Sequence, residues 1–129
     1  MAEGLMGLRI YHTAETLADE IWEEVIAWRP FARDTVGRQL VEAADSIGGN
    51  IAEGYGRYSY KENRQFQFYA RGSLHETRHW LRRARVRKLM TDVRCKELTA
   101  KVEELAPQLN AYIRTLERRS RERKPKELQ

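Results

Sequence analysis

Residues 39–57 read QLVEAADSIGGNIAEGYGR, and this stretch decides the fold of the chain. Apolar side chains recur along it at steps of three and four residues, which places them on one face of a helix. Each glycine inside a helix costs about 1 kcal/mol, so we expect a neighbouring helix to approach closely at Gly48 and Gly49. The stretch therefore predicts the central helix of a tight bundle. Its apolar face comprises Val36, Leu40, Ala43, Ile47 and Ile51, and Ala44, Gly48 and Ala52 form a stripe of small residues beside it.

The same spacing predicts a helix on either side of this stretch. The first covers residues 11–28 and is ended by Pro30, after which Asp34 or Thr35 is expected to cap the central helix. The third covers residues 60–88 and begins at the capping-box pair Ser59 and Glu62. The apolar face of the first helix is Ala14, Leu17, Ala18, Ile21, Val25 and Trp28; that of the third is Phe66, Ala70, Ser73, Thr77, Trp80 and Ala84, flanked by Leu74 and Leu81.

A fourth helix follows a break near Met90, with Thr91 or Asp92 as its cap. Its apolar residues step by three and four throughout, as in helices that pack side by side in bundles. They are Cys95, Leu98, Val102, Leu105, Leu109, Tyr112 and Leu116. The four helices predict an all-α fold, an antiparallel up-down-up-down four-helix bundle. We assign residues 1–7 to a flexible N-terminus, residues 8–117 to the bundle and residues 118–129 to a basic, disordered tail.

Length and composition agree with a single cytoplasmic domain. The 129 residues suffice for one modest core, and no run of 18 apolar residues indicates a membrane span. The N-terminus lacks a signal-peptide pattern. A single cysteine, Cys95, argues against a disulfide framework and fits a reducing compartment, where it serves as a small buried apolar residue.

Charge is distributed unevenly along the chain. Residues 1–77 carry 8 Lys/Arg and 12 Asp/Glu, whereas residues 78–129 carry 16 and 7. Basic side chains also line up along the third helix at steps of three, four and seven residues, which places them on one stripe. Fixed arginines of this kind suit phosphate groups. We therefore predict a nucleic-acid-binding surface made of Arg64, Arg71, His75, Arg78, Arg82, Arg83, Arg85, Arg87 and Lys88, extended by the tail residues Arg118, Arg119, Arg121, Arg123 and Lys124.

The third helix also contains His75-Glu76-Thr77-Arg78-His79, which has the H-E-x-x-H form of a zinc protease motif. Arg78 would lie beside the metal dication, and the spacing aims no third ligand at the pair. We therefore predict no metal site, no catalytic residue and no cofactor, and keep a zinc hydrolase as the least favoured alternative.

Asn50 and Glu53 are polar residues in the part of the central helix that should be tightly packed. Catalysis by Glu53 would need a partner acid, base or metal, and spacing locates none. We expect both side chains to form hydrogen bonds between helices, since buried polar groups are normally paired.

Three segments carry a resemblance to a known family. They are the run SIGGNIAEGYGR over residues 46–57, Phe66 to Tyr69, and Gly72-Ser73-Leu74-His75-Glu76, and they resemble the bacterial four-helix-bundle family that includes proteins encoded in intervening sequences of 23S ribosomal RNA genes. The chain also resembles, more distantly, the accessory variability proteins of diversity-generating retroelements. The resemblance implies a structural role for Asn50, Glu53, Gly54, Gly56 and Glu76, and a homopentameric assembly. The twelve Phe, Trp and Tyr side chains give a separate reason to expect an oligomer, because one small core leaves some of them exposed.

These observations lead to three hypotheses of different classes. The first is a non-catalytic accessory protein that binds nucleic acid, RNA rather than DNA, with a reverse transcriptase as the partner that the distant resemblance implies. The second is a structural or protein-interaction scaffold whose basic stripe meets an acidic protein surface. The third is the zinc hydrolase built on His75, Glu76 and His79.

Overall fold

The computed structural model describes residue 4 and residues 8–127, and within them it contains helices and no strand. This confirms the all-α class. The predicted flexible segment 1–7 lies outside the described residues except for Gly4, as do residues 128–129. The helices are α1 (Arg9–Ile26), α2, α3 (Tyr60–Val86) and α4 (Asp92–Glu127). α2 consists of Pro30–Ala32, a π-helical turn Arg33–Gly37 and Arg38–Tyr55, and its backbone conformation is continuous across the three parts.

The helices form a four-cornered bundle in which each packs against two neighbours. α1 packs against α2 and α4, and α3 packs against the same two helices. Contacts between the start of one helix and the end of the next show that neighbours are antiparallel. At one end of the α3–α4 pair, Cys95 Sγ lies 3.7 Å from the carbonyl oxygen of Leu81, and at the other, Asn63 Nδ2 donates to Tyr112 Oη at 3.0 Å. The up-down-up-down bundle is therefore confirmed.

The core contains the apolar stripes predicted for α1, α2 and α4, except that on α4 the buried residue is Ile113 and the predicted Tyr112 is half-buried. Leu40, Ile47 and Ile51 of α2 are fully buried, and so are the leucines of the α4 seam. Cys95 is buried as predicted. Burial of apolar surface, which contributes about 25 cal/mol per Å², is the main free-energy term that favours the fold.

The inward face of α3 differs from the predicted one. Its centre is Leu74 and Leu81, which are almost fully buried, whereas Phe66, Ser73 and Trp80 are half-buried at the edge. The face continues toward the helix start through polar residues, because it also buries Asn63 and Gln67. A rotation of less than one residue step therefore separates the prediction from the structure.

The close helix approach predicted at Gly48 and Gly49 was wrong. A Cβ atom on Gly48 would meet Ala14 at 3.8 Å, an ordinary contact, and one on Gly49 would meet nothing within 4 Å. Close approaches occur instead at Gly37, where a Cβ would lie 2.6 Å from Val25 Cγ1, and at Gly54. The two crowded glycines lie near the ends of α2, while the central pair faces the rim of the α1–α2 groove.

The beginning of α2 also corrects a prediction. Pro30 does not merely follow α1: it is the first residue of α2, where its fixed φ angle and missing N–H are tolerated. Neither Asp34 nor Thr35 caps the helix, since both lie in the π-helical turn. The Asp34 carboxylate accepts from Arg33 at 3.0 Å, which lowers the pKa of Asp34, and Thr35 Oγ1 donates to the Phe31 carbonyl.

The caps of the last two helices match the prediction. The Ser59 hydroxyl accepts from the backbone N–H of Glu62 at 3.1 Å, and the Thr91 hydroxyl accepts from that of Arg94 at 3.1 Å. Each cap satisfies one N–H at a helix start and so fixes where the helix begins.

α4 is longer than predicted. It does not end at residue 117 but continues as a helix to Glu127, because Arg, Glu and Lys are strong helix formers and Arg118 lies 3.9 Å from Glu122 one turn later. Arg119 lies beside Tyr60 at the start of α3, and the helix continues from there to Glu127. No described helix is apolar over a length that would span a bilayer.

Candidate nucleic-acid interface

The predicted basic stripe of α3 lies beside α4, and its residues differ in how they are paired. Toward the start of α3, Arg71 donates to Asn110 Oδ1 at 3.1 Å, and its guanidinium lies 4.9 Å from the centre of the Phe68 ring. Arg64 approaches the same ring from 6.0 Å, and both arginines are half-buried. These two side chains are therefore part of the α3–α4 packing as well as of the stripe.

In the middle of the stripe, Arg78 forms an ion pair with an acid from α4. Its Nε lies 2.6 Å from Glu103 Oε1, and its Nη1 lies 2.8 Å from His75 Nδ1. The stripe lacks an acid of its own here, but the neighbouring helix supplies one. Arg78 is therefore the least available of the predicted phosphate ligands.

The basic residues at the end of α3 have no such partners. Among the described residues, none of Arg82, Arg83, Arg85, Arg87 and Lys88 has an ion pair. Two of them, Arg83 and Arg85, lie in the last turn, where positive charge is favoured by the helix dipole. The unpaired charge of the stripe is thus concentrated at one end of the bundle.

An open groove of about 660 Å³ runs between α3 and α4 at this end, and its surface includes the small residues Cys95 and Ala100 and the aliphatic parts of the basic side chains. Lys96, which lines the groove from α4 and has no ion pair among the described residues, was missed by the sequence analysis. It could have been found only by placing the start of α4 opposite the end of α3. The lining residues are His75, Arg78, His79, Arg82, Arg85, Cys95, Lys96, Thr99, Ala100 and Glu103.

The basic residues after residue 117 lie at the opposite end of the bundle. Arg118, Arg119 and Arg121 are exposed on the extension of α4, and Arg119 lies 5.9 Å from the centre of the Tyr60 ring. The 22 residue-to-residue steps from Lys96 to Arg118 span about 33 Å of helix. The structure therefore separates the predicted site into two clusters. The side chains of Arg123 and Lys124 lie outside the described part of the chain.

The geometry around His75 and His79 offers no metal centre within the described residues, where no three metal-ligating side chains converge. His75 is bonded to Arg78, and the His79 ring packs edge-on against Trp80 with centroids 4.9 Å apart. Glu76 is exposed on the surface of α3.

Asn50 and Glu53 do not bridge helices, which corrects the prediction. Asn50 Nδ2 donates to the Ser46 carbonyl, and Glu53 lies 3.3 Å from Arg57, so both contacts lie within one segment of chain. The cause is orientation, because Glu53 faces outward and its neighbour Gly54 faces α3.

A hydrogen-bond network of uncharged side chains, Asn63, Gln67 and Tyr112, joins α2, α3 and α4. Gln67 Nε2 donates to the Ile51 carbonyl of α2 at 3.2 Å and to Asn63 Oδ1 at 2.8 Å, and Asn63 in turn donates to Tyr112 of α4. Burial raises the pKa of Tyr112. Gly54 leaves the space that Gln67 and Asn63 occupy, which accounts for one glycine of the resemblance motif; Gly56 is exposed in the turn after α2.

Acidic residues lie on the α1–α2 side of the bundle. A smaller groove there, of about 250 Å³, is lined by Glu15, Asp19 and Asp45. Loss of water around Asp45, together with the nearby charge of Asp19, raises the pKa of Asp45. The acidic and basic surfaces thus lie on different helix pairs, as the division of charge along the sequence indicates.

Comparison with known proteins identifies relatives of the same fold. The family model described as 23S rRNA-intervening sequence protein matches residues 6–111. Among solved structures, the chain is similar to a protein of unknown function from the S23 ribosomal protein family of Bacteroides thetaiotaomicron. The two share 18% identity and a TM-score of 0.73 over 81% of this chain and 97% of the other. Among curated proteins, none matches the chain.

Proposed function

We propose that this chain, which belongs to the 23S rRNA-intervening sequence protein family, is a non-catalytic protein that binds nucleic acid, RNA rather than DNA. The observation that supports this proposal most strongly is the group of unpaired cations at the end of α3, together with Lys96 of α4. Arginines that no acid neutralises can contact phosphate oxygens bidentately, and the planar guanidinium group reduces the freedom lost per hydrogen bond.

The distribution of ion pairs supports this assignment. Where the acidic α1 meets the basic α4, the charges neutralise each other: Arg94 lies 3.3 Å from Glu20 and 3.7 Å from Glu24, and Lys101 lies 3.1 Å from Glu20. No such partner reaches Arg82, Arg85 or Lys96 within the described residues. Their charge is therefore available to an anionic ligand.

Binding to single-stranded RNA and to DNA of the same sequence, measured across a salt series, tests the proposal. We expect Arg82→Gln/Arg85→Gln to weaken binding and to lower the slope of log K against log salt by about 1.4, since each phosphate contact contributes about 0.7 for single strands. Arg78 is left intact because its ion pair with Glu103 links α3 to α4.

The matched control is Arg9→Gln/Arg38→Gln, which removes the same charge from exposed positions on α1 and α2. It should reduce affinity only slightly and leave the slope nearly unchanged. A third variant, Arg118→Gln/Arg119→Gln, tests the far cluster. An equal loss of affinity in all three variants would mean that net charge alone attracts the strand. If the wild-type protein did not bind at low salt, the proposal would be refuted.

A protein-interaction scaffold is the second candidate, and a set of exposed apolar residues favours it. Phe31 is 82% exposed, Val93 68%, and Trp22 and Ile26 just over half. All lie toward the end of the bundle where α1 ends and α4 begins. We propose that this surface is buried between copies of the chain. The assembly that the family resemblance implies is a homo-oligomer, a pentamer. A reverse transcriptase stays a proposed partner on the distant resemblance alone.

A further inference from the structure

The groove between α3 and α4 joins an inner side of small residues, Cys95, Thr99 and Ala100, to a basic rim. We propose that it holds an unpaired nucleobase of a single strand, while the basic residues at its edge contact the flanking phosphates. This inference rests on the proposed function and adds to it the part of the ligand that is recognised.

The size and lining of the groove suit a base. Its volume of about 660 Å³ lies within the range of about 300–1,000 Å³ that is usual for small-molecule sites. Cys95 is buried and Thr99 is half-buried, so these two residues line its inner side, and Ala100 leaves the α4 side open. A ligand made only of phosphate would leave this inner side unused.

One wall of the groove contains an aromatic ring. His79 is exposed, lines the groove, and is packed edge-on against Trp80 with an angle of 76° between the rings. A ring held in this way is a surface on which a base can stack. Stacking on aromatic side chains or on arginine planes is the usual means by which proteins hold unpaired bases.

The charges around the groove match the charges that flank a base. Arg82 and Arg85 lie on the α3 side and Lys96 on the α4 side, so cations border the groove on both helices. A base within a strand has a phosphate on each side along the backbone. The one acid in the lining, Glu103, is bonded to Arg78. The rim therefore complements an anion on either side of an apolar group.

This arrangement predicts recognition of a base as well as of a backbone. Bases in a duplex are paired and stacked inside it, so a duplex could meet only the basic rim. A strand with an exposed base could use both the rim and the inner side of the groove.

The test compares an intact single strand with an abasic strand of equal length and phosphate number, both measured at pH 8. We expect the full-length protein to bind the intact strand at least about fivefold more tightly, as one stacked base allows. His79→Ala, which removes the ring, and Ala100→Leu, which narrows the groove without changing charge, should both bring this ratio toward one. His12→Ala, on α1, should leave it unchanged.

The outcomes separate this inference from the proposed function. Equal binding of both strands by the wild-type protein, or an unchanged ratio in both groove variants, overturns the base site while leaving phosphate binding intact. Loss of duplex binding in His79→Ala to the same extent as single-strand binding also overturns it, because a duplex should not use the ring. Absence of binding to every strand overturns both proposals.

Discussion

Replacement of Gly54 by alanine should destabilise the bundle, although alanine is the better helix former. A Cβ at this position would lie 2.6 Å from Gln67 Nε2, 2.7 Å from Asn63 Oδ1 and 2.9 Å from the Asn63 backbone oxygen. Carbon contacts of favourable energy require about 3.5 Å. Either α2 and α3 move apart, or Gln67 rotates and loses its bonds to Asn63 and to the Ile51 carbonyl.

The opposing terms give the expected size of the effect. Alanine gains at most about 1 kcal/mol of helix propensity over glycine. Overpacking costs about 1–3 kcal/mol, and each of the two buried hydrogen bonds contributes about 1 kcal/mol. Since one of these two costs is enough to relieve the clash, Gly54→Ala should lower the free energy of unfolding by about 1–2 kcal/mol.

Gly49→Ala is the matched control, since it makes the same chemical change in the same helix. A Cβ on Gly49 meets nothing within 4 Å, so the free energy of unfolding of this variant should rise by about 0.5–1 kcal/mol. Urea unfolding followed by circular dichroism at one protein concentration measures both, because self-association would make stability depend on concentration. Gly54→Ala at or above wild-type stability would refute the argument that Gly54 makes room for the Gln67 network.

Two further predictions concern charge. Arg94→Met should lower the free energy of unfolding by about 1 kcal/mol, because Arg94 bridges α4 to two half-buried carboxylates of α1; the loss should shrink in high salt, and the exposed control Arg118→Met should change nothing measurable. Asp45→Asn should raise the thermal midpoint at pH 7, since a carboxyl whose pKa is raised in the folded state weakens folding above that pKa. The gain should fade as the pH falls below the ordinary aspartate pKa of 3.8, because the Asp45 carboxyl of the wild-type protein is then neutral in both the folded and the unfolded state; a gain independent of pH would contradict this cause.

The apolar faces were predictable because helix period alone determines them. Steps of three and four residues located most of the buried positions of α1, α2 and α4 without knowledge of any partner helix, although on α4 Ile113 is buried in place of Tyr112. α3 was harder, because its buried face contains Asn63 and Gln67, which a hydrophobic pattern ignores. The prediction centred the buried face on Phe66 and Trp80 because both are large and apolar. In the structure each side chain reaches the edge of the core and remains half-exposed.

Contacts between helices were not predictable from spacing. Gly48 and Gly54 look alike in the sequence, and only the position of α3 shows that Gly54 is the crowded one. The ion pair between Arg78 and Glu103 was not predictable for the same reason. The two residues are 25 positions apart in the sequence and meet only because of the register of α3 against α4. Helix period orders the residues on each helix, whereas register between helices decides which charges remain unpaired.

The positions of the unpaired charges limit how copies of the chain can assemble. If the acidic α1–α2 groove of one copy docked into the basic α3–α4 groove of the next, the assembly would cover Arg82, Arg85 and Lys96 and exclude a nucleic-acid strand. If the exposed apolar residues near Phe31 formed the contact, the basic groove would stay open on every copy. Binding of RNA and self-association are therefore compatible only in the second arrangement, where repeated grooves around a ring would also strengthen the hold on one strand.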